Sequence, residues 1–325
     1  MTDELLPGIH RIEIPLPRNP LRAVNAYLIR GRDRWLMVDT GMNRPECLDA
    51  MRAALAALAV DLDRTDFFIT HSHSDHIGLV SELRGPSSRV FLHSADAAIV
   101  LDPNLWTGMA AEARIHGFPN PESAVEKHPG RRYLFTGRPE FTSLSEGDTL
   151  PVGDYTFQCI ETPGHTPGHL CLWEPKAGLL FSGDHVLDTI TPNISGWCCG
   201  GDPLGEFLAS LEKIAAYDVR TILPGHRNLI PDPQRRIEEL KAHHRHRLHE
   251  VRSILATGAQ TAYQVASQMA WRIDRPRWEE FPVPQQWFAT GEALSHLLHL
   301  ERAEAVTRHW KDGTASFSLS AAGQC

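Results

Sequence analysis

The sequence predicts an α/β protein followed by a smaller, mainly helical domain, and three observations carry that expectation. Short apolar runs with the alternation or length of strands recur between helical patterns through the first 230 residues. Pro231-Asp232-Pro233 then interrupts the pattern, because two prolines around an acidic residue favour a stiff turn and a fresh helix start. Beyond it the chain carries three helical patterns and one hairpin signal. The predicted domains are therefore residues 1–231 and 232–325.

Ile9 to Ile14 alternate apolar with polar, Ala26 to Ile29 form an apolar run, and Trp35 to Val38 lead into the turn Asp39-Thr40-Gly41, which together read as antiparallel sheet. Residues 46–58 have helical spacing. Asp66 to Thr70 form a short buried strand that ends directly before a histidine cluster, and the C-terminal end of a strand is where open α/β sheets place their ligands. After a strand at Arg89 to Leu92, residues 94–135 look inserted. Strands resume at Tyr155 to Ile160, Leu170 to Trp173 and Leu179 to Ser182, followed by a helix near Leu204 to Ala216 and a last strand at Thr221 to Leu223. Strands alternating with helices place helices on both sides of the sheet. In the second domain, residues 234–256 read as a long charged helix, 261–270 and 288–301 as shorter ones. Ala305 to His309 and Ala315 to Leu319 flank Lys311-Asp312-Gly313, a hairpin turn, so the domain reads as winged-helix-like.

An apolar fraction of 42% with 22% charged residues, and no apolar run of about eighteen, excludes a helical membrane protein. Acidic residues stand where a signal peptide would be basic, so a cytoplasmic location is expected. The six cysteines follow no framework spacing and include no CxxC pair, which predicts reduced thiols and leaves metal binding to histidine and carboxylate. Of the net charge of −8, the first 230 residues carry −9 and the remainder +1, an unfavourable balance for nucleic acid on the catalytic half.

His71-Ser72-His73-Ser74-Asp75-His76 supplies three imidazoles and a carboxylate in six residues. Imidazole nitrogen and carboxylate oxygen suit zinc and similar divalent ions, and such groups packed into one loop compete for protons unless an ion or fixed partners organise them. Three further candidates each follow an apolar strand or a Pro-Gly turn: His165 in Thr162-Pro163-Gly164-His165, Asp184 in Phe181-Ser182-Gly183-Asp184, and His226 in Leu223-Pro224-Gly225-His226. Seven ligands exceed what one tetrahedral ion needs and suit two ions sharing a carboxylate.

The run HSHSDHIG, TPGHTPGH, FSGDH and LPGH, in this order, resembles the metallo-β-lactamase-fold hydrolase superfamily over roughly residues 8–230. The resemblance implies an αβ/βα four-layer sandwich of two mixed sheets with the site at one edge. It implies that His71, His73 and His165 bind one metal, Asp75, His76 and His226 a second, and Asp184 bridges them. The cofactors expected are two divalent ions, zinc first, with iron or manganese as alternatives. They would supply a bridging hydroxide that attacks a carbonyl, oriented by Asp75, the expected catalytic residue. His169 is expected to fix loop geometry by hydrogen bonding, Asp39 in the VDTG turn to support the ligands from behind, and His185 to face either the pocket or the core. Redox members of the fold typically place glutamate where this chain has His73, and many lactamases lack the acid at Asp184, so hydrolysis of a small ester, thioester or lactone is expected.

GDHVLDTITPNISGW and the C-terminal domain resemble the branch that includes lactamase-like protein 2, some members of which cleave RNA. A phosphodiesterase or endoribonuclease acting on single-stranded nucleic acid is the alternative, and a non-catalytic binding protein is disfavoured because no ligand is lost. Arg235, Arg236, Lys241, Arg245, Arg247 and Arg252 offer positive charge, but Glu238, Glu239 and Glu250 are interleaved, which favours a packing surface or a homodimer interface over nucleic acid. Residues 94–135, with Leu101, Leu105, Trp106, Met109 and Phe118, form either an apolar lid over the metal pocket or a local core. As a lid they would suit an acyl substrate, with Trp197 adding to the wall alongside Trp106 and Met109.

Overall fold

The computed structural model describes residues 2–137, 139–197, 201–272 and 277–321. These form two compact units, the first comprising Met1–Leu101, Arg132–Pro192 and Ser210–Ile237, the second Asp102–Arg131, Asn193–Ala209 and Glu238–Cys325.

The first unit is built on two mixed sheets. One has six strands in sequence order: β1 (Thr2–Leu6), β2 (Ile9–Pro15), β3 (Ala23–Ile29), β4 (Trp35–Val38), β5 (Thr65–Phe68) and β6 (Val90–Phe91). β1 to β4 pair antiparallel, as the opening segments predicted, whereas β4, β5 and β6 run parallel. The other comprises β7 (Thr149–Val152), β8 (Tyr155–Glu161), β9 (Leu170–Glu174), β10 (Leu179–Gly183) and β11 (Thr221–Pro224), in the order β11-β10-β9-β8-β7. Only β10 and β11 pair parallel here.

Alternate residues leave opposite faces of a strand, and the two inner faces meet in one apolar layer. Ile9, Tyr27, Val38 and Phe68 of the first sheet pack with Phe157, Leu172, Phe181 and Leu223 of the second. Ile12, Ile14, Met37 and Phe67 point the other way, onto Met51 and Leu55 of helix α1 (Pro45–Ala57). Three shorter helices follow: α2 (Ser74–Ile77), α3 (Val80–Leu83) and α4 (Ser94–Leu101).

The second unit differs from the predicted domain 232–325. Residues 102–131, with α5 (Leu105–Ile115), α6 (Pro121–Lys127) and most of α7 (Pro129–Arg132), belong to it, as does 193–209 with the start of α8 (Pro203–Ala215). The physical reason is burial. Phe118, Val125 and Trp197 share one apolar cluster with residues of α9 (Pro233–Leu255), α10 (Ala262–Gln268) and α11 (Val283–Arg302), Val251, Val265, Trp287 and Leu294 among them. Trp287 stands edge-on to Phe118 at 5.5 Å and tilted against Trp197 at 5.0 Å. The hairpin of β12 (Val306–Lys311) and β13 (Thr314–Leu319) turns through Asp312 and Gly313, both at positive φ, the conformation a two-residue type I′ turn requires. Among the described residues, three α-helices and a hairpin thus follow residue 232 in the order predicted.

No described helix is long and apolar enough to cross a membrane. Cys47, Cys159 and Cys171 are free, buried thiols, while Cys198, Cys199 and Cys325 lie outside the described residues.

Candidate metal centre

Strand direction gathers the seven predicted ligands. β8, β10 and β11 run the same way in the second sheet, so the loops that leave them, carrying His165, Asp184 and His226, emerge at one edge. β5 delivers Thr70 and the His71–His76 loop from the first sheet. Cross-sheet hydrogen bonds join the two edges: Asn25 and Tyr27 of β3 both donate to the Pro224 carbonyl, at 2.9 and 2.8 Å. A Cβ on Gly225 would stand 2.7 Å from an Asp184 oxygen and 2.8 Å from the His76 ring, so only glycine lets this turn close on the site.

The side chains form three groups suited to an ion: His71, His73 and His165; His71, His76 and Asp184; and Asp75, His76 and His226. In the first group His73 Nδ1 lies 3.0 Å from both His71 Nε2 and His165 Nε2. One ring nitrogen has a single proton or a single lone pair, and so cannot serve two neighbours as donor and acceptor at once. Bonds of about 2.0–2.1 Å to a tetrahedral ion place neighbouring nitrogens roughly 3.3 Å apart, close to the observed spacing.

The remote ring nitrogens decide which atoms face inward. Thr70 Oγ1 has one proton, and it goes to Asp39, 2.9 Å away, which can only accept. Thr70 Oγ1 therefore accepts from His71 Nδ1 at 2.9 Å, leaving His71 Nε2 as a lone pair. By the same logic His76 Nδ1 donates to Asp39 at 2.8 Å and His226 Nδ1 to the Ala23 carbonyl at 2.6 Å. Their inward atoms, His76 Nε2 and His226 Nε2, are buried without a hydrogen-bond partner, as is Asp184 Oδ1. These three converge: Asp184 Oδ1 is 3.6 Å from His76 and 3.5 Å from His226, while Asp184 Oδ2 faces His165 at 3.7 Å. Asp75 Oδ2 faces His226 at 3.4 Å. Orphaned buried atoms aimed at one another beyond good hydrogen-bond distance fit divalent cations.

Electrostatics agree. Desolvation within the ring of ligands, joined by His165, lowers His73 although the residue is exposed at its outer edge, and burial with the neighbouring rings holds His71 well below the ordinary histidine range. Burial also opposes charge on His76, but Asp39, Asp184 and Asp75 outweigh it and raise the ring to about 9. Against the same burial, Asp184 and Asp75 hold His226 well above its usual value. Burial disfavours the Asp75 carboxylate as well, yet His76 and His226 lower it to about 2. Without metal, two histidines therefore hold the protons that balance the carboxylates, and an ion would replace them.

Asp39, at φ 57°, accepts from the Thr70 amide and hydroxyl and from His76, so it supports ligands from behind. His169 has both nitrogens engaged, with Thr162 Oγ1 at 2.8 Å and the Asp184 amide at 3.2 Å, and it belongs to none of the three groups. His185 is fully buried beside His169, ring centroids 6.1 Å apart, and Thr70 and Ala23 are supports that sequence reading missed. Thr70 immediately precedes the cluster at a strand end, which was a usable signal. The Ala23 carbonyl left none, since any residue supplies one.

A family model for the metallo-beta-lactamase superfamily matches residues 19–226. The chain belongs to the metallo-β-lactamase superfamily. Among superfamily relatives, the probable metallo-hydrolase YqjP of Bacillus subtilis is 29% identical, covering 94% of this chain and 96% of its own length. A beta-lactamase-like protein 2 homolog of Drosophila melanogaster is 28% identical over 76% of each chain. An acyl-coenzyme A thioesterase of Gallus gallus is 30% identical over 63% of this chain and 73% of its own. The crystal structure of a metallo-β-lactamase family protein from Thermus thermophilus superposes with a TM-score of 0.85 at 29% identity, covering 98% of this chain and all of that one. The superfamily fold and this ligand set make the protein a metal-dependent hydrolase.

The residues proposed from sequence as a substrate wall belong to the second unit. Trp197 is 3% exposed inside the apolar cluster of the second unit, and Trp106 and Met109 pack against that cluster. Within 94–135, the stretch 102–131 belongs to the second unit, where Phe118 is buried in that cluster, whereas the residues forward of it, with Leu101, stay in the first unit.

Proposed function

We propose that the protein is a dinuclear hydrolase of small acyl substrates, with a thioester the first candidate and an ester or lactone beside it. One observation carries the dinuclear part: the two oxygens of Asp184 face different ligands, Oδ2 toward His165 and Oδ1 toward His76 and His226. His71, His73 and His165 would hold one ion, Asp75, His76 and His226 the other, with Asp184 between them, and zinc is the expected metal, iron or manganese the alternatives. When bound, the ions supply Lewis acidity toward a carbonyl oxygen and lower the pKa of water. Asp75, ionised and directed by His226, accepts a hydrogen bond from the attacking water with its remaining oxygen and so orients it.

The thioester is supported by kinship with an acyl-coenzyme A thioesterase. Nucleic acid is disfavoured because basic residues of α9 have local partners. Arg236 donates to the Leu187 and Ile190 carbonyls, Lys241 pairs with Glu238, and Arg247 with Glu250. Metal analysis of purified protein should give about two equivalents per chain, and His73→Ala should lower turnover of an acyl-thioester at least about a hundredfold. A panel of acyl-thioesters, lactones and single-stranded RNA checks the substrate class; cleavage of RNA alone rejects the carbonyl reading.

A further inference from the structure

Asp96 lies in the first turn of α4, outside every ligand motif, and is completely buried. It makes no ion pair among the described residues. Instead its two oxygens accept three hydrogen bonds from two distant loops. Oδ2 takes the Ser72 amide at 2.7 Å and Thr166 Oγ1 at 2.8 Å, and Oδ1 takes the Gly168 amide at 2.7 Å.

Each donor sits beside a ligand or a residue that supports one. Ser72 separates His71 from His73, Thr166 follows His165, and Gly168 precedes His169, whose Nε2 accepts the Asp184 amide. The approach is too close for any side chain on residue 168: a Cβ there would stand 2.7 Å from the Asp96 amide and 2.8 Å from its Oδ1. A carboxylate taken out of water is costly unless charge-assisted hydrogen bonds satisfy it, and here all of them come from the metal-binding loops.

We infer that Asp96 is a positioning residue that clamps the His71–His73 loop to the His165–His169 loop and thereby sets the His71, His73, His165 metal group. The inference rests on the metal-centre reading above. Its chemistry requires two acceptor oxygens. Asparagine, nearly the same shape, has one acceptor and one donor, so in either orientation its NH2 opposes a backbone N–H about 2.7 Å away, that of Ser72 or of Gly168, and the clamp between the loops is weakened. The other group is held by different supports, Asp39 behind His76 and the Ala23 carbonyl behind His226, which Asp96 does not touch.

The test is zinc affinity by chelator competition, with the ligand-field spectrum of the cobalt-substituted protein, on wild type, Asp96→Asn and Thr166→Val. Asp96→Asn should weaken one of two zinc-binding steps roughly 10–100-fold and alter one cobalt signature, leaving the other step within about twofold. Thr166→Val, which removes one donor of three, should weaken the same step by less. If Asp96→Asn does not fold, Thr166→Val carries the test alone, and unchanged affinity at both steps overturns the inference. So does an Asp96→Asn protein that melts earlier but keeps both affinities and the cobalt spectrum, or one that loses both steps equally. Wild type that binds neither zinc nor cobalt would instead reject the metal centre itself.

Discussion

His76 and His226 illustrate how single residues prepare a site for a cation. Each ring spends its outer nitrogen on a fixed acceptor and presents the inner one to carboxylates. In the metal-free protein Asp39, Asp184 and Asp75 raise His76 to about 9, and Asp184 and Asp75 hold His226 well above its ordinary value, so both rings are protonated at neutral pH. A metal must displace these protons. Apparent zinc affinity should therefore rise between pH 6 and 9, by roughly tenfold per pH unit for each proton released. Chelator competition across that range, with calorimetry in buffers of different ionisation enthalpy, checks it; a flat profile would refute proton displacement. Asp39→Ala strips the outer support from His76 and from Thr70 together, and should weaken zinc binding roughly 10–100-fold with the fold retained by circular dichroism.

At the scale of elements, the helices of the second unit show how local signals and buried polar groups divide the labour. Thr261 and Gln264 form a reciprocal capping box at the start of α10, so Thr261→Ala should lower unfolding free energy by about 1 kcal/mol in urea. α9 and α11 meet partly through histidines. His296 Nδ1 donates to the Glu292 carbonyl at 2.7 Å, and its Nε2 accepts from His244 Nδ1 at 3.3 Å, an arrangement that needs the His296 ring neutral. Burial pushes His244 to about 2 and His296 to about 3. An unfolded histidine titrates near 6.5, so on acidification the unfolded chain takes protons that the folded one refuses. Stability from this pair is complete above about pH 6.5 and declines steadily below it. Urea midpoints from pH 7.5 to 5 should fall, and less steeply in His296→Gln; equal slopes would show that the pair does not contribute.

For the whole molecule, the ligands come from four separate stretches: the 71–76 loop and the loops bearing residues 165, 184 and 226. Ions held there would cross-link strand ends of both sheets, and an ion that binds only the folded chain stabilises it by mass action. Stripping metal with a chelator should lower the melting temperature by several degrees, and zinc should restore it. A melting curve indifferent to chelator and zinc would show that no tightly held ion bridges the sheets.

Much of this was legible in the amino-acid order because it is encoded locally. Trp35 to Val38 are β4 residue for residue, the 46–58 pattern is α1 to within one position at each end, and Asp312-Gly313 supplies the turn its backbone needs. Each of the seven ligands sits in a short motif at a strand end, so type and neighbourhood can be read without a fold. Other features had no local signal. The apolar character of Trp106, Met109 and Phe118 says that they are covered, but not by what, and tertiary packing assigns them to the second unit. Asp96 bonds partners 24, 70 and 72 residues away, a relation no window of sequence contains. The sequence alone determined which groups can bind metal and the order in which they arrive. Tertiary structure decided which nitrogens face inward, how the two oxygens of Asp184 are shared, and what holds the loops, because these depend on distances between segments that meet only in the folded chain.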